Sequence, residues 1–286
     1  MEKKIFVTSD STCSLPRDKA KEIGLNILPL NVIVNGEEYH DGIDIDIDKL
    51  SKMMRDKADI KTSTPTPYEI EEFFDSVFAQ GADHIIHFTI SHKLSSMFDL
   101  FTNLCKEKYG DKVTVIDSLS VCQYQLNHVL TAMNMVKRGC TVEEIVKTIE
   151  ERKGSEDLVF IPESLTFLRR GGRVSPAIAL IGNMIGMTPI LRFKDGGLEK
   201  EGTTRNIKKT IKEVFTTFAS KNYDPKVYEI GMVVADTNEN IINYAVSCAK
   251  ELMPEFKCKV DLLSINVCAH AGPGTIGMCV SKSATK

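Results

Sequence analysis

The sequence has no CxxC pair, no apolar run long enough to span a bilayer and no surplus of basic residues, and each absence removes a class of function. Its eight cysteines, at positions 13, 105, 122, 140, 248, 258, 268 and 279, are scattered. Disulfide frameworks belong to small secreted chains, and zinc sites need closely spaced ligands. These thiols are therefore expected to be reduced and mostly buried. No segment reaches the roughly 20 apolar residues of a membrane span, and the apolar run in MEKKIFVTSDS is too short for a signal peptide. A cytoplasmic chain without stable membrane insertion is the expectation. The formal net charge of -3 over 286 residues argues against nucleic acid as a partner, which would call for a basic stripe. Also missing are a GxxxxGK(S/T) loop, a GxGxxG after the first strand and a GxSxG elbow, so nothing supports a P-loop, a dinucleotide site or a hydrolase nucleophile. His84 and His87 lie three apart in an apolar strand, which puts them on opposite faces. With His92 they do not make a metal site, and no metal or cofactor is expected.

What is present is an ordinary globular composition, 42% apolar and 26% charged, in a pattern that changes half-way. The first half alternates strands and helices. KIFV (4–7) ends in a polar turn, after which Ser14 and Pro16 open a helix. LNVIVNGEEY carries Asn35-Gly36, a strong hairpin signal. Thr66, Pro67 and Glu69 form a capping box ahead of a helical stripe from Ile70 to Phe78, and Thr141 with Glu144 repeats the device. HIIHFTI and KVTVIDS read as strands. From Asp157 onward, two runs flanking Asp195-Gly196-Gly197 read as an antiparallel hairpin. A helix from about Ile207, a strand, a helix and two final strands follow. The fold class is α/β in two domains: residues 1–156 as an α/β/α unit with a mainly parallel sheet, and 157–286 as an α+β unit with a mainly antiparallel one.

Four hydroxyl-rich loops are placed at or near strand ends: Ser9-Asp10-Ser11, Thr62-Ser63-Thr64, Ser91 to Ser96, and Asp117-Ser118. Singly, each is explained by turn and cap chemistry. Together they suggest a shared anion-binding crevice, with Ser95 and Ser96 at a helix start. In SLTFLRRGGRVSPA, the Gly171-Gly172 step ends a short helix and turns Arg173 away from Arg169 and Arg170. His270, in AHAGPG, reads as an imidazole presented by a tight turn just past a strand. From Pro176 to Leu191 there is no charged residue. The helix opened by Ser175 and Pro176 is apolar all round, either as plain core or as the wall of a pocket for a long apolar ligand. Hydroxyls and an arginine suit a carboxylate, and an apolar wall suits an alkyl tail. Burying about fourteen methylenes at about 0.8 kcal/mol each would contribute roughly 11 kcal/mol before association costs.

These residues carry a family resemblance. TSDST, KTSTPTP, ISHKLSS, VIDS, LTFLRRGGRVSPA and HAGPGTIG, in this order and spacing, resemble the DegV family of fatty-acid-binding proteins along nearly the whole chain. The resemblance implies a carrier, not a self-sufficient enzyme: a long-chain fatty acid is held with its chain buried. A separate ATP-binding fatty acid kinase subunit then phosphorylates its carboxylate for phospholipid synthesis. By motif, Thr62, Ser63, Ser95, Ser96, Arg173 and His270 would surround the carboxylate. Ile178, Ile181, Ile185 and Met187 would line the acyl pocket, and Arg205 would face the kinase. The chain departs from the family pattern at Ser96, where a glycine is usual, at Met97, and at Cys122, Tyr124 and Leu126, where small residues are usual. An alternative reading is an enzyme or kinase substrate subunit for a small polar molecule, because the α/β half resembles the substrate-binding half of dihydroxyacetone kinases.

Overall fold

The computed structural model describes residues 3–174 and 186–284. A four-stranded parallel sheet, in the order β2-β1-β6-β7, is formed by β1 (Ile5–Asp10), β2 (Asn26–Leu28), β6 (His84–Thr89) and β7 (Val113–Asp117). Side-chain alternation divides its two faces. Ile86 and Phe88 of β6 join Val7 and Ile116 against α5 (Gln123–Lys137) and α6 (Val142–Glu150). Ile85 and His87 face the other way. There Phe74 of α3 (Pro67–Ala79) and Phe101 of α4 (Met97–Tyr109) close the core, with His87 stacked on Phe101 at 4.7 Å. Both capping boxes read in the sequence form, at Thr66 with Glu69 and at Thr141 with Glu144.

A separate three-stranded antiparallel sheet was not foreseen. Its order is β4-β3-β5, from β3 (Asn31–Val34), β4 (Glu37–His40) and β5 (Ile60–Ser63). The Asn35-Gly36 hairpin supplies two strands, with Asn35 at φ 52° and Gly36 at 86°. The third arrives only after α2 (Ile47–Arg55). Ser14 and Pro16 act differently from expectation as well. Pro16 precedes α1 (Arg17–Ile23) without a side-chain cap, while Ser14, in a left-handed conformation, accepts the N–H of Ser264 through its hydroxyl at 3.0 Å.

The six-stranded sheet has the order β10-β9-β8-β13-β11-β12. Its strands are β8 (Asp157–Ile161), β9 (Thr188–Lys194), β10 (Gly197–Thr204), β11 (Tyr228–Ala235), β12 (Cys258–Leu262) and β13 (Thr275–Lys282). All pairs are antiparallel except β11 with β12. One face packs Val159, Ile161, Met232 and Met278 beneath α8 (Ile207–Ser220) and α9 (Glu239–Leu252). The opposite face offers Leu158, Phe160, Leu191 and Phe193 to a hydrophobic cluster that continues into the N-terminal half through Ile90, Met97 and Val121. That continuous cluster encloses the candidate site. The sequence reading also missed a short helix before the last strand, α10 (Ile265–Ala271), capped by the Ser264 hydroxyl accepting from the Val267 N–H at 3.3 Å. His270 therefore sits in the last turn of a helix, and the Gly272-Pro273-Gly274 turn follows it.

Candidate functional site

A cavity lies between the halves, and Thr62, His270 and Arg173 gather at its polar end. Its polar lining is Thr12, Thr62, Ser63, Thr64, Ser95, Asn266, Thr275, Arg173 and His270. Leu30, Ile90, Leu94, Met97 and Val121 supply apolar wall from the N-terminal half. Phe160 of β8, Leu191 and Phe193 of β9 and Leu198 of β10 supply it from the other. In β9 the buried positions Pro189, Leu191 and Phe193 alternate with partly buried Thr188, Ile190 and Arg192, and Leu191 with Phe193 forms this wall. It was not read as lining because the partner face is known only once the halves are packed.

The polar end is built around His270. Its Nε2 lies 2.8 Å from the Thr62 hydroxyl at the end of β5. Burial, and then the neighbouring Arg173, push the imidazole pKa down to about 4, so the ring is neutral near pH 7. Arg173 follows α7 (Thr166–Arg170), where its N–H bonds the Leu168 carbonyl at 3.1 Å. The guanidinium donates from Nε to the Leu94 carbonyl at 3.2 Å and from Nη1 to the Gly171 carbonyl. Burial lowers its pKa below the ordinary arginine value. Among the described residues no carboxylate forms an ion pair with it. A half-buried cation held by carbonyls and facing a neutral imidazole has its charge available to an anion.

The Gly-Gly step has two separate jobs. Gly172, at φ 68°, makes the left-handed turn. Gly171 is right-handed, and it is glycine for space: a β-carbon there would overlap Nδ1 of His270 and lie 2.8 Å from its Cε1. The HAGPG turn fits against the same segment, since a β-carbon on Gly272 would lie 2.6 Å from the Phe167 ring. The two motifs that stood a hundred residues apart in the sequence thus interlock.

Of the carboxylate set expected from sequence, Thr62, Ser63, Ser95, Arg173 and His270 line one cavity. Ser96 does not: it is exposed and precedes the first turn of α4 without a side-chain cap bond. The crevice of four loops is also reduced. Asp117 is taken up by the His92 ring at 2.5 Å and by the His92 and Leu119 N–H groups. Asp10 is buried among the Thr12 hydroxyl and N–H, the Ile90 N–H and the Gln125 amide, and burial raises its pKa. Only the 62–64 and 91–96 loops reach the cavity, joined by Thr12. Of the expected acyl wall, Ile178, Ile181 and Ile185 lie outside the described residues, and Met187 is partly buried without lining the cavity. Arg205 is exposed between β10 and α8. Cys122, Tyr124 and Leu126 are buried but leave the lining at this point to Val121.

The eight cysteines are free, all buried or partly buried. Among the described residues no three His, Cys, Asp or Glu side chains gather to hold a metal ion, and no helix is long and apolar enough to cross a membrane. His84 is bonded to the Thr114 hydroxyl at 2.9 Å.

Known proteins share this architecture over its whole length. The fatty-acid-binding DegV family protein of Thermus thermophilus superposes with a TM-score of 0.87 at 26% identity, covering 98% of this chain and 99% of that one. A stearic acid-binding protein of Eubacterium ventriosum ATCC 27560 superposes with a TM-score of 0.85 at 25% identity, covering 96% and 97%. A DegV domain-containing protein of Staphylococcus aureus strain MRSA252 is 30% identical over 290 residues, 99% of this chain and 100% of its relative. The family model described as "Uncharacterised protein, DegV family COG1307" matches residues 4–283. The chain belongs to the DegV family.

Proposed function

We propose that this protein binds one long-chain fatty acid, with the carboxylate at the Thr62–Arg173–His270 end of the cavity and the acyl chain along its apolar wall. The observation that carries the reading is Arg173, a half-buried cation without an ion-pair partner among the described residues, at the polar end of a cavity with an apolar wall. Relatives described as fatty-acid-binding and stearic acid-binding share the fold. In this arrangement the arginine supplies the charge. The Thr62 hydroxyl donates to a carboxylate oxygen while its own oxygen accepts from Nε2–H of neutral His270, so the imidazole sets the direction of the Thr62 proton. Ser95 offers a further hydroxyl from the 91–96 loop. The apolar wall has no use in the alternative, a site for a small polar molecule.

The finer reading is that of a carrier. The units 1–156 and 157–286 hold the lipid between them and present its carboxylate to an ATP-dependent fatty acid kinase subunit, which docks at a surface including Arg205. The acyl phosphate so formed serves phospholipid synthesis in the cytoplasm. The protein contributes binding and orientation, and the partner contributes ATP.

Native mass spectrometry of the purified protein, with lipid extraction, is expected to find about one fatty acid per chain. An empty protein that takes up no added fatty acid overturns the lipid reading. The carrier role is tested by supplying ATP and partner proteins captured from its source, then trapping acyl phosphate with hydroxylamine. Failure to form acyl hydroxamate with lipid bound removes the kinase role alone.

A further inference from the structure

We propose that Asp41 is the positioning residue for His270: its carboxylate, buried between the two halves, fixes the start of α10 and so sets where the imidazole stands against Thr62 and Gly171. The inference rests on the fatty-acid reading for its functional consequence, and on geometry alone for the coupling.

DGIDIDIDK (41–49) carries four aspartates with separate fates. Asp44 bonds the His40 ring and N–H, Asp46 caps α2 by accepting from the Lys49 N–H, and Asp48 is exposed. Asp41 turns inward and is 8% exposed. Its Oδ2 accepts from the Ser11 hydroxyl at 2.8 Å, and its Oδ1 accepts from the Ile265 N–H at 3.4 Å. It thus joins the segment after β1, the loop after β4 and the first residue of α10. The Ser11 oxygen in turn accepts from the Leu30 N–H at 3.2 Å, and Leu30 lines the cavity.

What α10 carries makes this position matter. His270 meets Thr62 on one side, and on the other meets Gly171 with no room for a β-carbon. Displacing the start of the helix therefore alters the Thr62 contact and the fit of the ring against Gly171. The partial positive charge of the free N–H groups at the helix start favours a carboxylate there, but burial outweighs it. Retaining a charge there works against stability. Burial, with Asp10 nearby, pushes the Asp41 carboxyl up to about 6, against donors that lower it. The same groove holds Arg17, Asp44, Asp46 and Lys49, and Asp41 has no ion pair with either cation within the described residues. A raised carboxyl pKa contributes stability below the ordinary value of 3.8 that is lost as pH rises through about 6. Replacing Asp41 by asparagine at pH 7.5 is therefore expected to keep or raise Tm while loosening the alignment of His270.

The test uses the full chain with 15N-labelled histidine at pH 7.5. The His270 resonance, assigned by its loss in His270→Gln, is expected to move in Asp41→Asn, and to move less in the same direction in Ser11→Ala, which removes one partner and leaves the carboxylate. The preference for palmitate over hexadecanol, which share a tail, should fall about tenfold in Asp41→Asn, as for one weakened charge-assisted bond. A His270 resonance unmoved in both variants overturns the proposal, as does a lower Tm with resonance and preference unchanged, which makes Asp41 merely structural. If the wild type itself shows no preference for the acid, the fatty-acid reading fails, while the resonance still decides the role of Asp41.

Discussion

Gly171 and His270 compete for one space: the imidazole occupies the volume a β-carbon on Gly171 would need. The backbone at Gly171 is right-handed helical, φ -76°, so alanine suits its conformation and would ordinarily stabilise a helix end. Here the clash decides. Gly171→Ala is expected to displace the ring from Thr62 and to destabilise by about 1–3 kcal/mol, the range for overpacking. Thermal melts measure the loss, and palmitate binding should weaken alongside it. A variant as stable as wild type with unaltered binding would show that the ring moves freely.

His270 is held neutral by burial and by Arg173, with its pKa down at about 4 against an ordinary 6.5. A depressed imidazole pKa means that the unfolded chain takes up the proton first. The stability concerned is fully present above pH 6.5 and is lost as pH falls through about 4. His87 and His128, buried and pushed down to about 3, act in the same direction, while Asp10, Asp41 and Glu156, all raised, oppose them. Comparing the wild type with His270→Gln isolates one group. Between pH 6 and 4.5 the wild type should lose up to about 1.4 kcal/mol per pH unit more than the variant in urea melts. Parallel curves would mean that His270 is already charged in the fold.

How much of this was legible in the sequence depended on distance along the chain. Thr66 with Glu69, Asn35-Gly36 and Asp195-Gly196-Gly197 act within a few residues, and each formed the element expected of it. Thr62, Ser63, Ser95, Arg173 and His270, singled out by motif, line one cavity. The pairing of β5 with β3 was not, because strand partners 28 residues apart, such as Lys61 with Ile33, leave no local mark. SINVCAH carried a cap signal in Ser264, but its short apolar run reads equally as strand or buried helix, and length could not arbitrate. Asp117 was misplaced for a similar reason: nothing local shows that His92 claims it. The space requirement at Gly171 became visible only with α10 packed against α7.

Arg173→Ala tests how the site divides its work between head and tail. Fourteen buried methylenes at about 0.8 kcal/mol each far outweigh one charge-assisted hydrogen bond of about 1.5–3 kcal/mol. Palmitate affinity should therefore fall modestly, by roughly 10- to 100-fold, while formation of acyl phosphate with the proposed kinase partner should fall further, since a free-swinging carboxylate is poorly presented. Affinities come from displacement of a fluorescent fatty acid, and turnover from hydroxamate trapping. Complete loss of lipid from a folded variant would make Arg173 the anchor of the ligand.

Arg205 stands exposed between β10 and α8, away from the cavity lining. If the proposed kinase docks here, Arg205→Glu is expected to leave lipid content and Tm unchanged and to reduce acyl phosphate formation at least tenfold by reversing a charge at that surface. The loss should shrink at high partner concentration. Unchanged turnover at limiting partner would place the docking surface elsewhere.

Cys122 tests a departure from the family pattern that the cavity does not explain. It precedes α5 at φ 57° and ψ -136°, with its N–H bonded to the Thr12 carbonyl at 2.9 Å. Side chains rarely adopt this conformation, and holding one there costs about 1–3 kcal/mol. In an unstrained position alanine is more stable than glycine by about 0.5–1 kcal/mol through the entropy of the unfolded chain. At position 122 that order should reverse. Cys122→Gly is expected to exceed Cys122→Ala in stability by about 1 kcal/mol, because both lose the same buried sulfur and only glycine relieves the backbone. Urea melts of the two variants decide it, and an alanine variant the more stable of the pair would mean the backbone here relaxes at no cost.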